Sequence, residues 1–249
     1  MIYTQQQAHQ KLRDDIRCYW QLENNGQEPL YYTIMPDGFF DLLVCYHQNN
    51  LEKVFLTGLW TKKVNVVILP KTKIFGVQFR LLAIERIFQE SIAPLLNNMK
   101  SLEKTFWGLD TFARNAAAVS VEHFDQYLLS HIAAKDRIDA RKVKLLKAIN
   151  VTQGNQTIDD YSKQVFWSAR QINRYFRSTF GLSLKSYCTI RKGAASFSQI
   201  KQGQLYPDQN YFDQSHFIKA IKKITGHTPK ELTKNENDRF LQFSIIESR

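Results

Sequence analysis

Hydrophobic and polar residues alternate along roughly the first 80 residues of the chain, in short runs rich in β-branched and aromatic side chains. This pattern is typical of strands, and no segment of helical length separates the runs. A small barrel or sandwich is therefore predicted, rather than a parallel sheet. The candidate strands are Ile16–Leu22, Leu30–Met35, Phe39–Tyr46, Lys53–Leu56, Lys63–Leu69 and Lys73–Phe79, with turns at Pro36-Asp37-Gly38 and Asn49-Asn50.

The apolar spacing becomes helical from Leu82 onward. Ile84, Ile87 and Ile92 predict a helix that ends before Pro94, because proline interrupts a helix. Two more helices are predicted before the basic half of the chain: a short one beginning at Ser101-Leu102-Glu103-Lys104 and a longer amphipathic one over Val119–Ala133.

The polar segment Lys135-Asp136-Arg137 marks the predicted domain boundary. Residues 1–134 are predicted to form a β-rich barrel or sandwich with trailing helices, and residues 135–249 an all-helical domain. The predicted fold class is α+β. Apolar residues in the tail beyond Lys234 indicate that the tail packs against a surface that the sequence leaves unassigned.

The helical half contains the same helix plan twice, 45 residues apart. Each copy has a capping residue at its start, an apolar face at helical spacing and a glycine at its end. The paired positions are Ser168 and Asp213 at the caps, Ile172 and Phe217, then Phe176 and Ile221, on the apolar faces, and Gly181 and Gly226 at the ends.

The first copy completes a helix-turn-helix plan, because another helix begins at Thr157 just before it. The second helix of such a unit enters the major groove of DNA. Its outward face carries Arg170, Asn173, Arg174 and Arg177, and arginine and asparagine can make bidentate contacts with guanine and adenine edges. The outward face of the second copy is better suited to phosphates and carries Gln214, Ser215, Ile218, Lys219 and Lys222.

Charge is segregated along the chain in the same way. Residues 1–130 hold 13 Lys+Arg and 13 Asp+Glu, whereas residues 131–249 hold 21 against 10, so the net charge of +11 lies in the helical half. Concentrated positive charge favours a polyanionic partner, because phosphate contacts release condensed counterions. A solvated basic surface is the alternative reading of the same charge.

Asp213-Gln214-Ser215-His216-Phe217, followed by Lys222-Lys223, Thr225-Gly226 and Thr228-Pro229, resembles the signature of the AraC/XylS family of bacterial transcription regulators. The resemblance covers roughly Asp136 to Leu232. It implies two helix-turn-helix units joined by a long helix around Leu184–Phe197, with recognition helices about 34 Å apart on one side, reading successive major grooves. The resulting candidate DNA-binding residues are Arg170, Gln171, Asn173, Arg174, Arg177, Gln214, Ser215, Lys219 and Lys222.

Two further segments refine this resemblance. The stretch Gln202–Gln209 departs from the family, because Gly203 and Pro207 disfavour the regular helix expected before the second turn. That supporting helix is therefore expected to be short or missing. The β-rich half is similar to a domain that precedes such units in many bacterial regulators, through Cys18-Tyr19-Trp20, Met35-Pro36-Asp37-Gly38 and Gly76-Val77-Gln78-Phe79-Arg80.

The remaining chemistry-bearing residues give no complete site. Ser215 and His216 are adjacent on a helix and point about 100° apart, so they cannot form a catalytic pair. Cys45 and His47 lack further metal ligands in any recognisable motif. The aromatic residues of the β-rich half are expected mainly in its core, with a small-molecule pocket as the alternative, and are Trp20, Tyr31, Tyr32, Phe39, Phe40 and Trp60.

We therefore expect a sequence-specific transcription regulator that binds double-stranded DNA, without enzymatic activity, metal or cofactor. A small-molecule effector, a homodimer formed through the N-terminal half and RNA polymerase are further candidate partners. No apolar run is long enough to span a bilayer, and three scattered cysteines fit the reducing, nucleoid-containing cytoplasm. The alternatives are an architectural nucleic-acid-binding protein with weak sequence preference and a small-molecule enzyme in the β-rich half.

Overall fold

The computed structural model of the chain describes residues 1–110, 121–132, 138–205, 211, 213–234 and 240–241. A β-rich N-terminal half is followed by helices, so the predicted α+β class is confirmed. The strands are β1 (Ile2–Gln6), β2 (Ile16–Asn24), β3 (Leu30–Ile34), β4 (Phe40–His47), β5 (Asn50–Thr57), β6 (Val64–Ile68), β7 (Thr72–Phe79) and β8 (Met99–Leu102).

The strands form two antiparallel sheets. Six of them pair in the order β1-β2-β7-β4-β5-β8, and β3 pairs with β6 in a separate ribbon. All six predicted strands are confirmed, within a few residues at their ends. Strands β1 and β8 were not predicted. The prediction of a helix beginning at Ser101 was wrong, because Ser101 lies in β8 and pairs with Phe55 at the edge of the sheet.

The large sheet is covered on both faces. On one face, Leu22 of β2 packs against Tyr32 and Ile68 of the β3–β6 ribbon, which gives a small sandwich. On the other face, the ring of Phe124, from a later helix, lies 6.1 Å from that of Tyr19 and 5.3 Å from that of Phe75. The alternation of inward and outward residues that predicted the strands therefore corresponds to two different apolar layers.

One tight turn and one glycine inside a strand shape the large sheet. The β4–β5 hairpin turns at Gln48 and Asn49, which both have positive φ, the backbone geometry that suits the twist of two-residue hairpins. Gly76 in β7 lies under the indole of Trp20, where an added Cβ would fall 2.0 Å from a ring carbon. Only glycine leaves room for that ring.

The segment between β7 and β8 differs from its prediction. The prediction of a continuous helix that ends before Pro94 was wrong. A five-residue π-helix, Ile84–Phe88, ends at Gln89 in the left-handed region, and Pro94 lies inside a later 3-10 turn, Ala93–Leu95. The break has a tertiary cause, because the backbone N–H of Ile92 donates to the carbonyl of Thr179 in the helical half, at 3.0 Å.

Eight α-helices follow among the described residues. They are α1 (Val121–Ile132), α2 (Ala140–Thr152), α3 (Ile158–Val165), α4 (Ala169–Phe180), α5 (Leu184–Ala195), α6 (Phe197–Lys201), α7 (Gln214–Thr225) and α8 (Pro229–Lys234). The supporting helix that was expected to be short or missing before the second turn is α6. It has five residues, and the chain turns at Gly203, which has positive φ. Pro207 lies outside the described residues. None of the described helices is both long enough and apolar enough to cross a membrane.

The two halves share one hydrophobic core. The phenol of Tyr187 in α5 donates to the carbonyl of Gly38 at 3.0 Å. Glu85 of the π-helix accepts from Lys142 Nζ and from the Tyr175 hydroxyl, both at 2.9 Å. The predicted boundary at residues 135–137 lies outside the described residues, so the division into 1–134 and 135–249 stays a prediction.

Charged groups are buried or half-buried where α5 meets the turn between β3 and β4. The guanidinium of Arg191 donates to the carbonyl of Asp37 at 2.7 Å and lies 4.2 Å from the centre of the Phe39 ring. The indole of Trp20 donates to Asp41 at 2.9 Å. Burial, reinforced by the negative charge of Asp37, raises the pKa of Asp41 to about 7.

We predict that Asp41→Asn weakens the pH dependence of stability. The unfolded chain has an aspartate pKa of about 4, so the folded chain binds the proton more tightly and its free energy of unfolding falls as the pH rises through 7. Asp41 should account for a loss of about 1 kcal/mol between about pH 6 and about pH 8. Urea unfolding at both pH values measures it.

The Asp41→Asn variant should keep part of the pH dependence of stability, because burial also raises the pKa of Asp15 to about 7 and that carboxyl still titrates. An equal change in stability for wild type and Asp41→Asn would contradict the prediction.

Candidate nucleic-acid interface

The first helix-turn-helix unit is built from α3 and α4, each started by a capping box. The hydroxyl oxygen of Thr157 accepts from the backbone N–H of Asp160 at 3.2 Å, and Ser168 does the same for Gln171 at 3.3 Å. Such reciprocal caps fix the first residue of each helix. The start of α4 is therefore well defined by its sequence.

The exposed and buried faces of α4 separate cleanly. Ile172, Phe176 and Phe180 are fully buried on one face. Arg170, Arg174 and Arg177 are exposed, four and three residues apart, which places them on one side of the helix. Within the described part of the chain, these three guanidinium groups have no ion pair or hydrogen-bond partner. They are available to an external ligand.

Unlike the three arginines, Gln171 and Asn173 form hydrogen bonds within the protein. The side-chain oxygen of Gln171 accepts from the backbone N–H of Ser168 at 2.8 Å, as part of the capping box. Asn173 is half-buried; its amide donates to the carbonyl of Ala169 at 3.1 Å and accepts from the N–H of Leu184 at 3.3 Å. Asn173 therefore links α4 to the start of α5 within the protein.

The second unit presents a polar face along α7. Asp213 caps the helix by accepting from the N–H of His216 at 2.7 Å, and Gly226 ends it with positive φ. Phe217 and Ile221 are buried on the inner side. The predicted contacts Gln214, Ser215, Lys219 and Lys222 are all exposed.

Helix α5 contacts both units. Towards the first unit, the ring of Tyr187 lies 5.7 Å from that of Phe176. Towards the second, Gly193 approaches α7 so closely that an added Cβ would fall 2.2 Å from Cδ1 of Ile224. The joining helix predicted around Leu184–Phe197 is therefore present as α5, which ends at Ala195.

The β-rich half contacts the C-terminal ends of both exposed helices. The hydroxyl of Ser91 donates to the carbonyl of Ser178 in the last turn of α4, at 2.7 Å. Lys63 Nζ lies 3.0 Å from Nε2 of His227, just beyond α7. These contacts lie away from the capped N-terminal ends, where Ser168 and Asp213 remain exposed.

The tail also reaches the β-rich half. Phe240 is buried, and its backbone pairs with Thr33 of β3 in a parallel bridge. Its ring lies 4.9 Å from that of His227. The prediction that the tail packs against the protein is confirmed at Phe240 and Leu241, the only two tail residues after Lys234 that the structure describes.

The aromatic residues considered for a ligand pocket do not surround one cavity. Phe40 is buried in the main core, Phe39 is buried against the guanidinium groups of Arg80 and Arg191, Tyr32 belongs to the small sandwich layer, and Tyr31 is 70% exposed. A cleft of about 20 Å³, with room for one water molecule, lies between the halves beside Phe39 and Arg80. Across the described residues, no His, Cys, Asp and Glu side chains cluster as metal ligands would.

Comparison with known proteins adds a family model for part of the chain. The model is described as a domain of unknown function, DUF6597, and matches residues 4–100. This range runs from β1 into β8 and so includes nearly all of the described strands. A comparison with curated proteins found no match.

Solved structures of ToxT from Vibrio cholerae are similar to the chain at low identity. One from strain O395 is 10% identical, covers 98% of this chain and 99% of its own, and has a TM-score of 0.44. A second, of wild-type ToxT from strain SCE256 with unsaturated fatty acid bound, is 11% identical, with coverages of 86% and 97% and a TM-score of 0.43. Similarity at this level carries no functional conclusion.

One exposed residue of the first unit was not anticipated from the sequence. Phe166, in the turn between α3 and α4, has positive φ and is 84% exposed. The sequence does hold a signal for Phe166, because a phenylalanine follows the predicted helix at the position where glycine is usual.

We predict that Asn173→Ala lowers stability rather than base preference. The substitution leaves the N–H of Leu184 without its acceptor, which should cost about 1 kcal/mol of unfolding free energy. Urea unfolding measures the change, and Arg170→Ala, on the exposed side of the same helix, is the matched control that should stay within about 0.5 kcal/mol of wild type. An unchanged stability for Asn173→Ala would contradict the packing role.

Proposed function

We propose that the protein is a sequence-specific DNA-binding transcription regulator whose two helix-turn-helix units read successive major grooves. The observation that carries the proposal is the exposed arginine face of α4, which starts at a capped N-terminus and faces away from the core. A second exposed, lysine-bearing helix, α7, packs on the same joining helix, α5. Both helices lie in the half that holds the net positive charge.

The two units contribute differently in this proposal. Arg170 and Arg174 read base edges from α4, because arginine forms bidentate hydrogen bonds with guanine. Arg177, a turn further from the N-terminus, contacts the backbone. In α7, Gln214 and Ser215 approach the bases, and Lys219 and Lys222 neutralise phosphates. We leave Asn173 and the side-chain oxygen of Gln171 out of the contacts, because both are engaged within the protein.

We also propose that the chain divides by role, with residues 1–134 sensing a ligand or forming a dimer and residues 135–249 binding DNA. Support comes from the family model, which treats most of the β-rich half as a unit. The shared core gives such a signal a route, because α5 contacts the turn between β3 and β4 through Tyr187 and Arg191. RNA polymerase remains a proposed partner of the bound regulator.

The first experiment measures specificity. DNA selected from a random duplex pool by the full-length chain is titrated against unselected duplex over a range of salt concentrations. We expect the selected duplex to bind at least about 10³-fold more tightly. A ratio near one at every salt concentration would instead establish the architectural alternative with weak sequence preference.

We predict that Arg174→Ala weakens binding to the selected duplex by about 1–3 kcal/mol and relaxes the preference at one base pair. The loss follows from removal of a bidentate contact to one base. Arg174→Lys is a matched variant that keeps the charge but not the paired donors, so it should recover phosphate binding without the base preference. Equal losses on every duplex would make Arg174 a backbone contact.

A separate prediction concerns Lys222. Lys222→Gln should weaken binding to selected and unselected duplexes alike, and lower the slope of log affinity against log salt by about one. Fluorescence anisotropy over a salt series measures this slope. Lys53→Gln, an exposed lysine on β5 of the other half, is the control and should leave the slope unchanged. A loss confined to the selected duplex would assign Lys222 to base reading.

A further inference from the structure

Phe166 is held in a conformation and a place that a phenylalanine does not favour. It directly follows α3 with φ 55° and ψ 38°, in the left-handed region, and its side chain is 84% exposed. Glycine at this position would avoid the steric strain at Cβ and would also remove an apolar ring from water. Neither the local backbone nor the core therefore explains this residue.

The turn fixes the direction of the ring. Trp167, the next residue, packs inward, with its ring 5.7 Å from that of Tyr175 and the guanidinium of Arg141 5.0 Å from its centre. The hydroxyl of Ser162 donates to the carbonyl of Trp167, which closes the turn. Because Trp167 is anchored on the inner side of the turn, the Phe166 ring points outward.

The surroundings of the ring are basic. Lys144 Nζ of α2 lies 5.7 Å from the centre of the Phe166 ring. Arg170 is exposed on the other side of the turn. Within the described ranges, neither Lys144 nor Arg170 takes part in an ion pair. An exposed aromatic ring next to free positive charge suits a ligand that combines phosphates with apolar faces.

We propose that Phe166 and Lys144 form a contact with the sugar–phosphate backbone beside the groove that α4 reads. The inference rests on the proposed function. Phe166 lies two residues before the cap Ser168, so its Cα is within about 7 Å of the end of the helix that enters the groove. The ring packs on the apolar face of a deoxyribose, and Lys144 pairs with the adjacent phosphate.

The test uses the full-length chain and the duplex that wild type selects from a random pool. Phe166→Gly removes the ring and also relieves the backbone strain, so it should lower affinity about three- to tenfold while the thermal midpoint stays the same or rises. Val151→Ala is the matched control, because Val151 is an 81% exposed apolar residue of the same half and should not change affinity. Phe166→Asn, which tolerates the left-handed region, should reproduce the loss with a second side chain.

Lys144→Gln tests the charged partner. It should lower affinity and reduce the salt slope by about one, as expected for one lost phosphate contact. Wild-type affinity and slope in this variant would remove Lys144 from the contact.

The two proposals fail in different ways. Loss of binding in Arg174→Ala with wild-type affinity in both Phe166 variants overturns this inference and leaves the proposed function standing. If the Phe166 variants keep their affinity for DNA but lose self-association in sedimentation, the ring contacts a second copy of the chain and the inference is also overturned. Absence of a selected duplex for wild type overturns both.

Discussion

The burial of α5 between three parts of the protein is the constraint on which the rest of the structure depends. Its Tyr187 bonds to the turn at Gly38, Arg191 bonds to Asp37, and Gly193 allows Ile224 of α7 to approach. One helix therefore sets the position of the sheet, of the first unit and of the second. Interiors are close-packed, so a displacement of α5 cannot be absorbed locally.

The two halves also contact each other at the ends of both exposed helices. The β-rich half contacts the C-terminal ends of α4 and α7, through Ser91 and Lys63, and leaves the capped ends to solvent. Under the proposed function, this arrangement suits regulation by a change in the relative geometry of the two helices better than regulation by covering their exposed faces.

Much of the fold could be predicted because local signals and tertiary packing agree there. Capping residues such as Ser168 and Asp213, and the alternation along β2 and β4, specify their elements without help from distant residues. The segment around Ile92 could not be predicted, because its break is imposed by a hydrogen bond to Thr179. Strand β1 was missed because four of its five residues are exposed and its apolar and polar residues do not alternate, so only pairing with β2 makes it a strand.

The candidate site could likewise be predicted only where local spacing decides the position of a side chain. Helical spacing alone placed Arg170, Arg174 and Arg177 on the exposed side, where the structure has them. Spacing could not reveal that Asn173, on the same side by angle, bends back to Leu184. Side-chain bonding across a turn depends on the path of the following helix, which periodicity does not encode.

The position of Phe240 has a consequence for how the protein is made. Its backbone pairs with Thr33, near the start of the chain, and its ring lies against His227. Thr33 and Phe240 can therefore pair only after Phe240 has left the ribosome. The contact between the edge of the sandwich and the end of the second unit is therefore among the later ones to form as the chain emerges.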